Sequence, residues 1–307
     1  MTFNKFLDPK NDIAFRRVFG SEQNKDILIH FINDILNLKG KLGIKKIKLL
    51  PTIQEPEIAA KKQSIVDVLC ENEAGEKIIV EMQVSPQKGF EERALYYASK
   101  AYYRQLNKGQ KEDGLYHNLK KVIFIAISNT ILFYDEEDYL SEHKILNSKT
   151  YKHKLKGMNF IFLELPKFNI TDVSKLNTMT EKWCYFFKYA KETNDEELEK
   201  IIANNPIIKK AYQEVSKFNW TEKELNSYDR EVKRVLDNKA VESYIFDKGL
   251  EKGETIGLKK GEYKKAIKMA TTMLQDDEAI EKITKYTGLS VDEVLKLRKK
   301  TKIKIES

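Results

Sequence analysis

The stretch SIVDVLCENEAGEKIIVEMQV, residues 64–84, decides how the first half of this chain folds. Two apolar runs rich in Val and Ile flank a short polar segment, and each run carries one acid, Asp67 in the first and Glu81 in the second. The polar segment, residues 72–76, fits a three-residue hairpin loop, with Gly75 at the position that needs left-handed backbone. The stretch therefore predicts a β-hairpin.

The hairpin also predicts which side chains are neighbours. If Asn72 faces Glu76 across the loop, the register places Asp67 opposite Glu81. Opposite residues of antiparallel strands have Cβ atoms about 4.5–5.5 Å apart. Because side chains alternate between the two faces of a strand, Gln83 shares the face of Glu81. Two carboxylates and one amide are thus predicted on one face.

Two neighbouring carboxylates with apolar flanks are costly unless they are protonated, paired or bridged by a cation. Hard divalent ions such as Mg²⁺ prefer oxygen ligands and often use one or two carboxylates together with phosphate and water. A metal held there would activate water and neutralise phosphate charge. The spacing alone equally allows a solvent-facing strand with two ordinary acids, so it leaves both interpretations open.

The segments around the hairpin predict an α/β domain that ends near residue 170. Helical periodicity covers residues 11–38, which Gly20 divides into two helices, and residues 91–106, which stop at a polar segment at 107–109. Further strand-like runs lie at residues 44–50, 121–129 and 158–165, and the run at 121–129 is apolar enough for a central buried strand. Helices interspersed with strands in one segment are typical of the α/β class.

Beyond residue 170 the strand pattern disappears. Residues 171–246 predict a helical extension rich in Glu and Lys, and residues 247–307 predict a linker helix followed by a small helical module. In the linker, four glycines spaced four residues apart indicate either a hinge or a helix that lets a partner helix approach closely; they are Gly249, Gly253, Gly257 and Gly261.

The final helix pair resembles a helix-turn-helix, and Ser290 with Glu293 predicts a capping box for its second helix. That helix opens with Asp292 and Glu293, where base-reading residues normally lie, and acids there repel phosphates. The pattern therefore favours self-association or docking over sequence-specific DNA reading. We expect a homo-oligomer formed through this tail.

Composition restricts the class of protein. The formal charge of +8 favours polyanion partners such as nucleic acid, although a generally Lys-rich protein has the same balance. There is no apolar run long enough for a membrane span, and the first ten residues lack the apolar core of a signal peptide. Two cysteines without CxxC spacing, Cys70 and Cys184, fit the reduced cytoplasm, where we expect the protein.

The ordered set of segments resembles the PD-(D/E)XK nuclease superfamily, and within it the Rpn-type recombination-promoting nuclease and transposase family. The segments that carry the resemblance are DPKNDIAFRRVFG, VDVLCENEAGEKIIVEMQ, ERALYYASKAYYRQLNKGQ, LELPKF and ITKYTGLSVDEVLKL. They span most of the chain in the family's order. The acid-spacer-acid pattern alone is weak, whereas the ordered set is specific.

The resemblance implies a restriction-endonuclease-like fold, a mixed sheet core flanked by helices, that cleaves DNA with Mg²⁺ or alternatively Mn²⁺ or Ca²⁺. It implies that Asp67 and Glu81 bind the metal and that Asp12, in the first helix, is the third acid. Gln83 occupies the superfamily's catalytic lysine position, as is frequent in this branch. Glutamine orients groups by hydrogen bonds but cannot offset phosphate charge, so the positive charge must come from elsewhere.

Helix 91–106 offers the candidates for that charge. Arg93 is the candidate cation, and Tyr97 is the candidate hydrogen-bonding residue near the substrate; both also fit an ordinary amphipathic helix. We expect Tyr96 and Tyr103, with Ala94 and Ala101, to pack on the sheet and Lys100 to face a groove. Because the lysine is missing, a cleavage-inactive nucleic-acid-binding protein that retains the nuclease fold is the alternative to an endonuclease.

Overall fold

The structure, a computed structural model, describes residues 4–54, 64–106, 116–203 and 205–303. Its contacts divide the chain into two compact units, Met1–Val232 and Lys233–Ser307. The boundary predicted at residue 170 falls inside the first unit, and the one predicted at residue 246 falls inside the second. The predicted three-part division stays a proposal.

The first unit contains a mixed six-stranded sheet with strand order β1-β4-β5-β6-β8-β7, and a separate β2-β3 pair. Strands β5, β6 and β8 run parallel, while β1, β4 and β7 pair antiparallel with their neighbours. The strands are β1 (Ile47–Leu49), β2 (Ile53–Gln54), β3 (Ser64–Ile65), β4 (Val68–Asn72), β5 (Lys77–Gln83), β6 (Val122–Ser128), β7 (Leu140–Lys144) and β8 (Met158–Glu164). The predicted mixed sheet core is confirmed.

The predicted hairpin forms with the predicted register. Val68 pairs with Val80 and Glu71 pairs with Lys77, which is the alignment that follows from the loop arithmetic. Gly75 adopts φ +80°, a left-handed conformation that glycine reaches without steric cost.

Two strand predictions differ from the structure. The run at 64–71 splits into β3 and β4, so that Val66 and Asp67 lie between strands, and β1 is shorter than the predicted 44–50. Strand β7 was not predicted, because its sequence LSEHK is polar and lacks the apolar alternation of a half-buried strand.

Helices cover both faces of the sheet. In the first unit they are α1 (Asp12–Phe19), α2 (Lys25–Ile35), α3 (Phe90–Tyr103), α4 (Met179–Tyr189), α5 (Asp195–Ile202) and α6 (Pro206–Val215). The break expected at Gly20 is confirmed, since α1 ends one residue before it. The polar stop expected at 107–109 lies outside the described residues.

The sheet separates two apolar clusters. Ile78 and Val80 of β5 pack with α1, α2 and the helices α4 to α6, whereas Ile79 packs with the buried side of α3. Because side chains alternate along β5, Glu81 and Gln83 lie on the α3 side with Ile79. The helical extension thus belongs to the same core as the N-terminal helices.

Helix α3 buries only part of the predicted stripe. Ala94 and Ala101 are buried against the sheet as expected, together with Ala98, whereas Tyr96 and Tyr103 are exposed. Lys100, expected to face a groove, is buried. Alanines at spacings of three and four let the helix approach the sheet closely, and the tyrosines on neighbouring helix positions point away.

Helix α7 (Glu222–Gln275) begins in the first unit and ends in the second, where α8 (Ile280–Thr287) and α9 (Val291–Ile303) follow it. The predicted capping box is confirmed: the backbone N–H of Ser290 donates to Glu293 Oε2 at 2.9 Å. All four spaced glycines lie inside α7, and, apart from the neighbouring backbone of the helix itself, no described atom is within 4 Å of a Cβ placed on any of them. Within the described chain they therefore serve no close packing.

Among the described residues, no helix is long and apolar enough to cross a membrane.

Candidate active site

Asp67 and Glu81 meet at the end of the hairpin farthest from its loop. The backbone N–H of Asp67 donates to Glu81 Oε2 at 3.0 Å, and the backbone N–H of Met82 donates to Asp67 Oδ2 at 2.9 Å. Each carboxylate is therefore fixed by the strand that carries the other. The predicted neighbours are brought together, with Asp67 one residue before β4 rather than inside it.

Burial and negative neighbours favour the protonated form of Glu81. The residue is only 6% exposed. Burial, followed by the charge of Asp67, raises the pKa of Glu81 to about 8, while the Asp67 N–H and Arg93 act in the opposite direction. The charge of Asp12 also raises it. A cation beside this carboxyl would restore its charged form.

The side-chain amide of Gln83 binds the guanidinium of Arg93, which carries the positive charge that a glutamine cannot supply. Arg93 Nη2 donates to Gln83 Oε1, and the same nitrogen lies 3.9 Å from Glu81 Oε1. Arg93 Nη1 donates to Gln87 Oε1, and Gln83 Nε2 donates to the carbonyl of Ser85. The candidate cation of the sequence analysis thus lies beside the residue that replaces lysine.

The start of α3 positions Arg93. Gly89 precedes the helix with φ +79°, and its carbonyl accepts the backbone N–H of Arg93 at 3.0 Å. The guanidinium lies over the ring of Phe90, 4.9 Å from the centroid, and 5.9 Å from that of Tyr97. Its Nε is buried without a hydrogen-bond partner among the described residues. Arg93 therefore retains donor capacity inside the site.

Tyr97 and Asp12 are also near the acid pair. Tyr97 is half-buried, and burial followed by the charge of Glu81 raises the pKa of its hydroxyl. Asp12 is the first residue of α1, and the side chain of Asn11 caps that helix. Asp12 is close enough to Glu81 to act on it electrostatically. The structure thus gathers all six residues that the sequence analysis selected.

Arg16 is a site residue that the sequence analysis missed. Its Nη2 lies 3.4 Å from Asp67 Oδ1. The available signal was its position four residues after Asp12 on α1, which places both side chains on one face of the helix. The sequence around α1 does not indicate that this face of the helix contacts Asp67, which lies 51 positions further along the chain.

The donor set fits a divalent metal ion. Asp67 and Glu81 supply hard carboxylate oxygens, which Mg²⁺ prefers, and their mutual repulsion is the kind that a cation relieves. Across the described parts of the chain, no three Asp, Glu, His or Cys side chains come together as a metal-binding group. Asp67 and Glu81 would hold the ion, and Asp12 is close enough to act on Glu81 electrostatically.

A family model described as "PD-(D/E)XK nuclease family transposase" matches residues 9–244. The matched span covers more than half of the chain and contains every residue of the site. Neither curated proteins nor solved structures gave a match.

Proposed function

Because this chain belongs to the PD-(D/E)XK nuclease family transposases, we propose that it is a divalent-metal-dependent endonuclease that hydrolyses phosphodiester bonds in DNA. The single observation that carries the proposal is the buried Asp67–Glu81 pair with Arg93 held beside it by Gln83. We connect the activity with recombination or mobile elements, in line with the family description.

In the proposed mechanism, Asp67 and Glu81 would hold Mg²⁺, or alternatively Mn²⁺ or Ca²⁺, and the ion would supply an activated water and positive charge. Asp12, whose charge acts on Glu81, would assist through the metal or through water. Gln83 orients Arg93, and the ring of Tyr97 packs against the guanidinium while its hydroxyl donates a hydrogen bond to the substrate. The contacts of Arg93 with Gln83 and Tyr97 and the effect of Asp12 on Glu81 support these roles.

Arg93 takes the electrostatic role that lysine has elsewhere in the superfamily. A guanidinium presents several N–H donors in a planar fork, which matches phosphate oxygens. Donors fixed where charge develops in the transition state need no reorganisation during the reaction. Bonds to Gln83 and Gln87 and packing over Phe90 hold the Arg93 guanidinium in one position, which supports this role.

Charge balance supports the proposal. With a proton on Glu81, the charges of Asp12 and Asp67 match those of Arg16 and Arg93. A divalent cation together with a phosphodiester brings one net positive charge, and loss of the Glu81 proton offsets it. Because the pKa of Glu81 is raised to about 8, its carboxyl still carries that proton at neutral pH and can release it there.

Plasmid nicking tests the proposal. Supercoiled DNA is incubated with Mg²⁺, Mn²⁺ or Ca²⁺ and either the wild-type protein or Asp67→Ala. We expect metal-dependent nicking by the wild type and none by the variant. Equal nicking by both proteins, or no nicking by the wild type with any of the three ions, would contradict the proposal.

The second candidate is a nucleic-acid-binding protein that retains the fold without cleaving. The observation that favours it is the buried amide of Gln83 at the lysine position. It predicts salt-sensitive DNA binding with no metal-dependent nicking. The tail module is proposed to mediate self-association, and the cytoplasmic location stays a prediction.

A further inference from the structure

Two adjacent arginines of α1 have different surroundings. Arg17 donates to Glu224 at 2.7 Å and to Glu214 at 3.1 Å, and it stacks over Trp220 at 4.7 Å from the ring centroid. Its side chain is 20% exposed. These contacts join α1 to the helical extension, so Arg17 has a structural role.

Arg16 points instead toward the acid pair. Among the described residues, its side chain makes one hydrogen bond, the 3.4 Å contact to Asp67, and it is 46% exposed. An ion pair this long and this exposed contributes little to stability. A guanidinium has five N–H donors, and the contact with Asp67 uses one of them, so Arg16 keeps donors for a further ligand.

The two site arginines approach the acids from opposite faces of the sheet. Arg16 comes from α1, which packs with Ile78 and Val80, whereas Arg93 comes from α3, which packs with Ile79. Arg16 lies beside Asp67 and Arg93 beside Glu81. The acid pair is therefore flanked by one cation on each side.

A nucleic-acid strand offers a phosphate at every nucleotide. If the scissile phosphate lies at the acid pair with Arg93, the neighbouring phosphate of the same strand reaches the other flank, where Arg16 has free surface. We infer that Arg16 is a substrate-binding residue that takes the phosphate next to the cleaved bond, exchanging its contact with Asp67 for the phosphate oxygens. This inference rests on the proposed endonuclease function.

The test measures DNA affinity in a background that cannot cut. In Glu81→Gln protein with Mg²⁺, anisotropy of a labelled 20-base-pair duplex is followed over a salt series, with and without Arg16→Ala. We expect Arg16→Ala to weaken binding about 5- to 20-fold and to reduce the slope of log K against log salt by about 0.9, the value for one phosphate contact on B-DNA. Arg16→Lys should retain most of the slope.

Lys200→Ala is the matched control. Lys200 is an exposed cation of α5 that pairs with Glu196, and its removal also lowers the net charge by one. We expect less than a twofold change in affinity. If Arg16→Ala behaves like Lys200→Ala, the inference is wrong.

Two further readouts separate this role from a structural one. In the cutting-competent protein, Arg16→Ala should raise KM for DNA by a similar factor while kcat changes less than about threefold. Calorimetric Mn²⁺ titration should show undiminished metal affinity. A tighter metal site with unchanged DNA affinity would mean that Arg16 only neutralises Asp67, which overturns the inference.

The outcomes also distinguish the inference from the function on which it rests. A wild-type protein that neither binds nor nicks DNA removes the proposed function. A wild-type protein that does both, with Arg16→Ala indistinguishable from it in affinity and KM, removes the Arg16 inference alone. Thermal melts of each variant show whether it is folded, and the neutral Arg16→Gln replaces Arg16→Ala in every measurement if the alanine variant is not.

Discussion

One nitrogen of Arg93, Nη2, donates to Gln83 Oε1 and also lies 3.9 Å from Glu81 Oε1. The residue that replaces lysine in this chain is therefore the acceptor that positions a cation from the next helix. This relationship determines how the site can be tested.

We expect Arg93→Ala to lower the nicking rate by about 10²-fold or more, the size of loss seen when one transition-state donor is removed. Arg104→Ala, at the C-cap of the same helix, should change the rate less than about threefold. Initial rates of plasmid nicking at saturating Mg²⁺ measure both. Equal loss in the two variants would mean that Arg93 has no special role.

Gln83→Lys should reduce activity rather than raise it. Lysine cannot accept a hydrogen bond, so the substitution removes the acceptor for Arg93 and places two cations side by side. In the double variant Gln83→Lys/Arg93→Ala the new cation has no competitor, and we expect activity above that of Arg93→Ala. Rates of the wild type and the three variants form a double-mutant cycle, and an additive cycle would rule out coupling between the two positions.

Glu81→Gln should stabilise the metal-free protein at alkaline pH. The folded-state pKa of Glu81, about 8, lies above that of an unfolded glutamate, so the folded state binds the proton more tightly. The contribution of Glu81 to stability is present below about pH 4.5 and is lost as the pH rises to about 8. Glutamine does not titrate, so the Glu81→Gln variant has no such loss of stability as the pH rises.

Urea unfolding in EDTA measures this difference. Between pH 5 and pH 8.5, we expect the stability of Glu81→Gln relative to the wild type to increase by about 1–3 kcal/mol. A difference that is the same at both pH values would show that Glu81 is not perturbed. Glu196→Gln, on an exposed turn of α5, serves as the control and should show little change.

Mg²⁺ should stabilise the wild-type protein, because a ligand that binds only the folded state raises the melting temperature. We expect a rise of a few degrees at millimolar Mg²⁺, greater at pH 8 than at pH 6 because protons compete for Glu81. Asp67→Asn should show no rise. Differential scanning calorimetry gives the measurement, and an equal rise in both proteins would place the metal elsewhere.

Self-association should depend on exposed apolar residues of α7. Phe246 is 71% exposed and Leu250 is 54% exposed, four residues apart on one side of the helix. We expect the wild type to sediment as an oligomer and Phe246→Glu/Leu250→Glu to sediment as a monomer. A monomeric wild type would contradict the proposed self-association, and an unchanged oligomer in the variant would show that these two residues of α7 are not part of the interface.

Local sequence determined the hairpin. The loop length, Gly75 and the alternation of apolar residues depend on contacts a few residues apart, so register and the Asp67–Glu81 juxtaposition were predictable. The helix break at Gly20 and the capping box at Ser290 are local for the same reason. The polar edge strand β7 gave no such signal.

Tertiary structure decided which charges surround the acids. Arg16 and Asp67 are 51 positions apart, and Arg17 reaches Glu214 and Glu224 in the helical extension. Such contacts depend on how helices pack across a sheet, which no local periodicity specifies. The sequence by itself therefore determined the acid pair and proposed Arg93, whereas only packing brought Arg93 to Gln83 and Arg16 to Asp67.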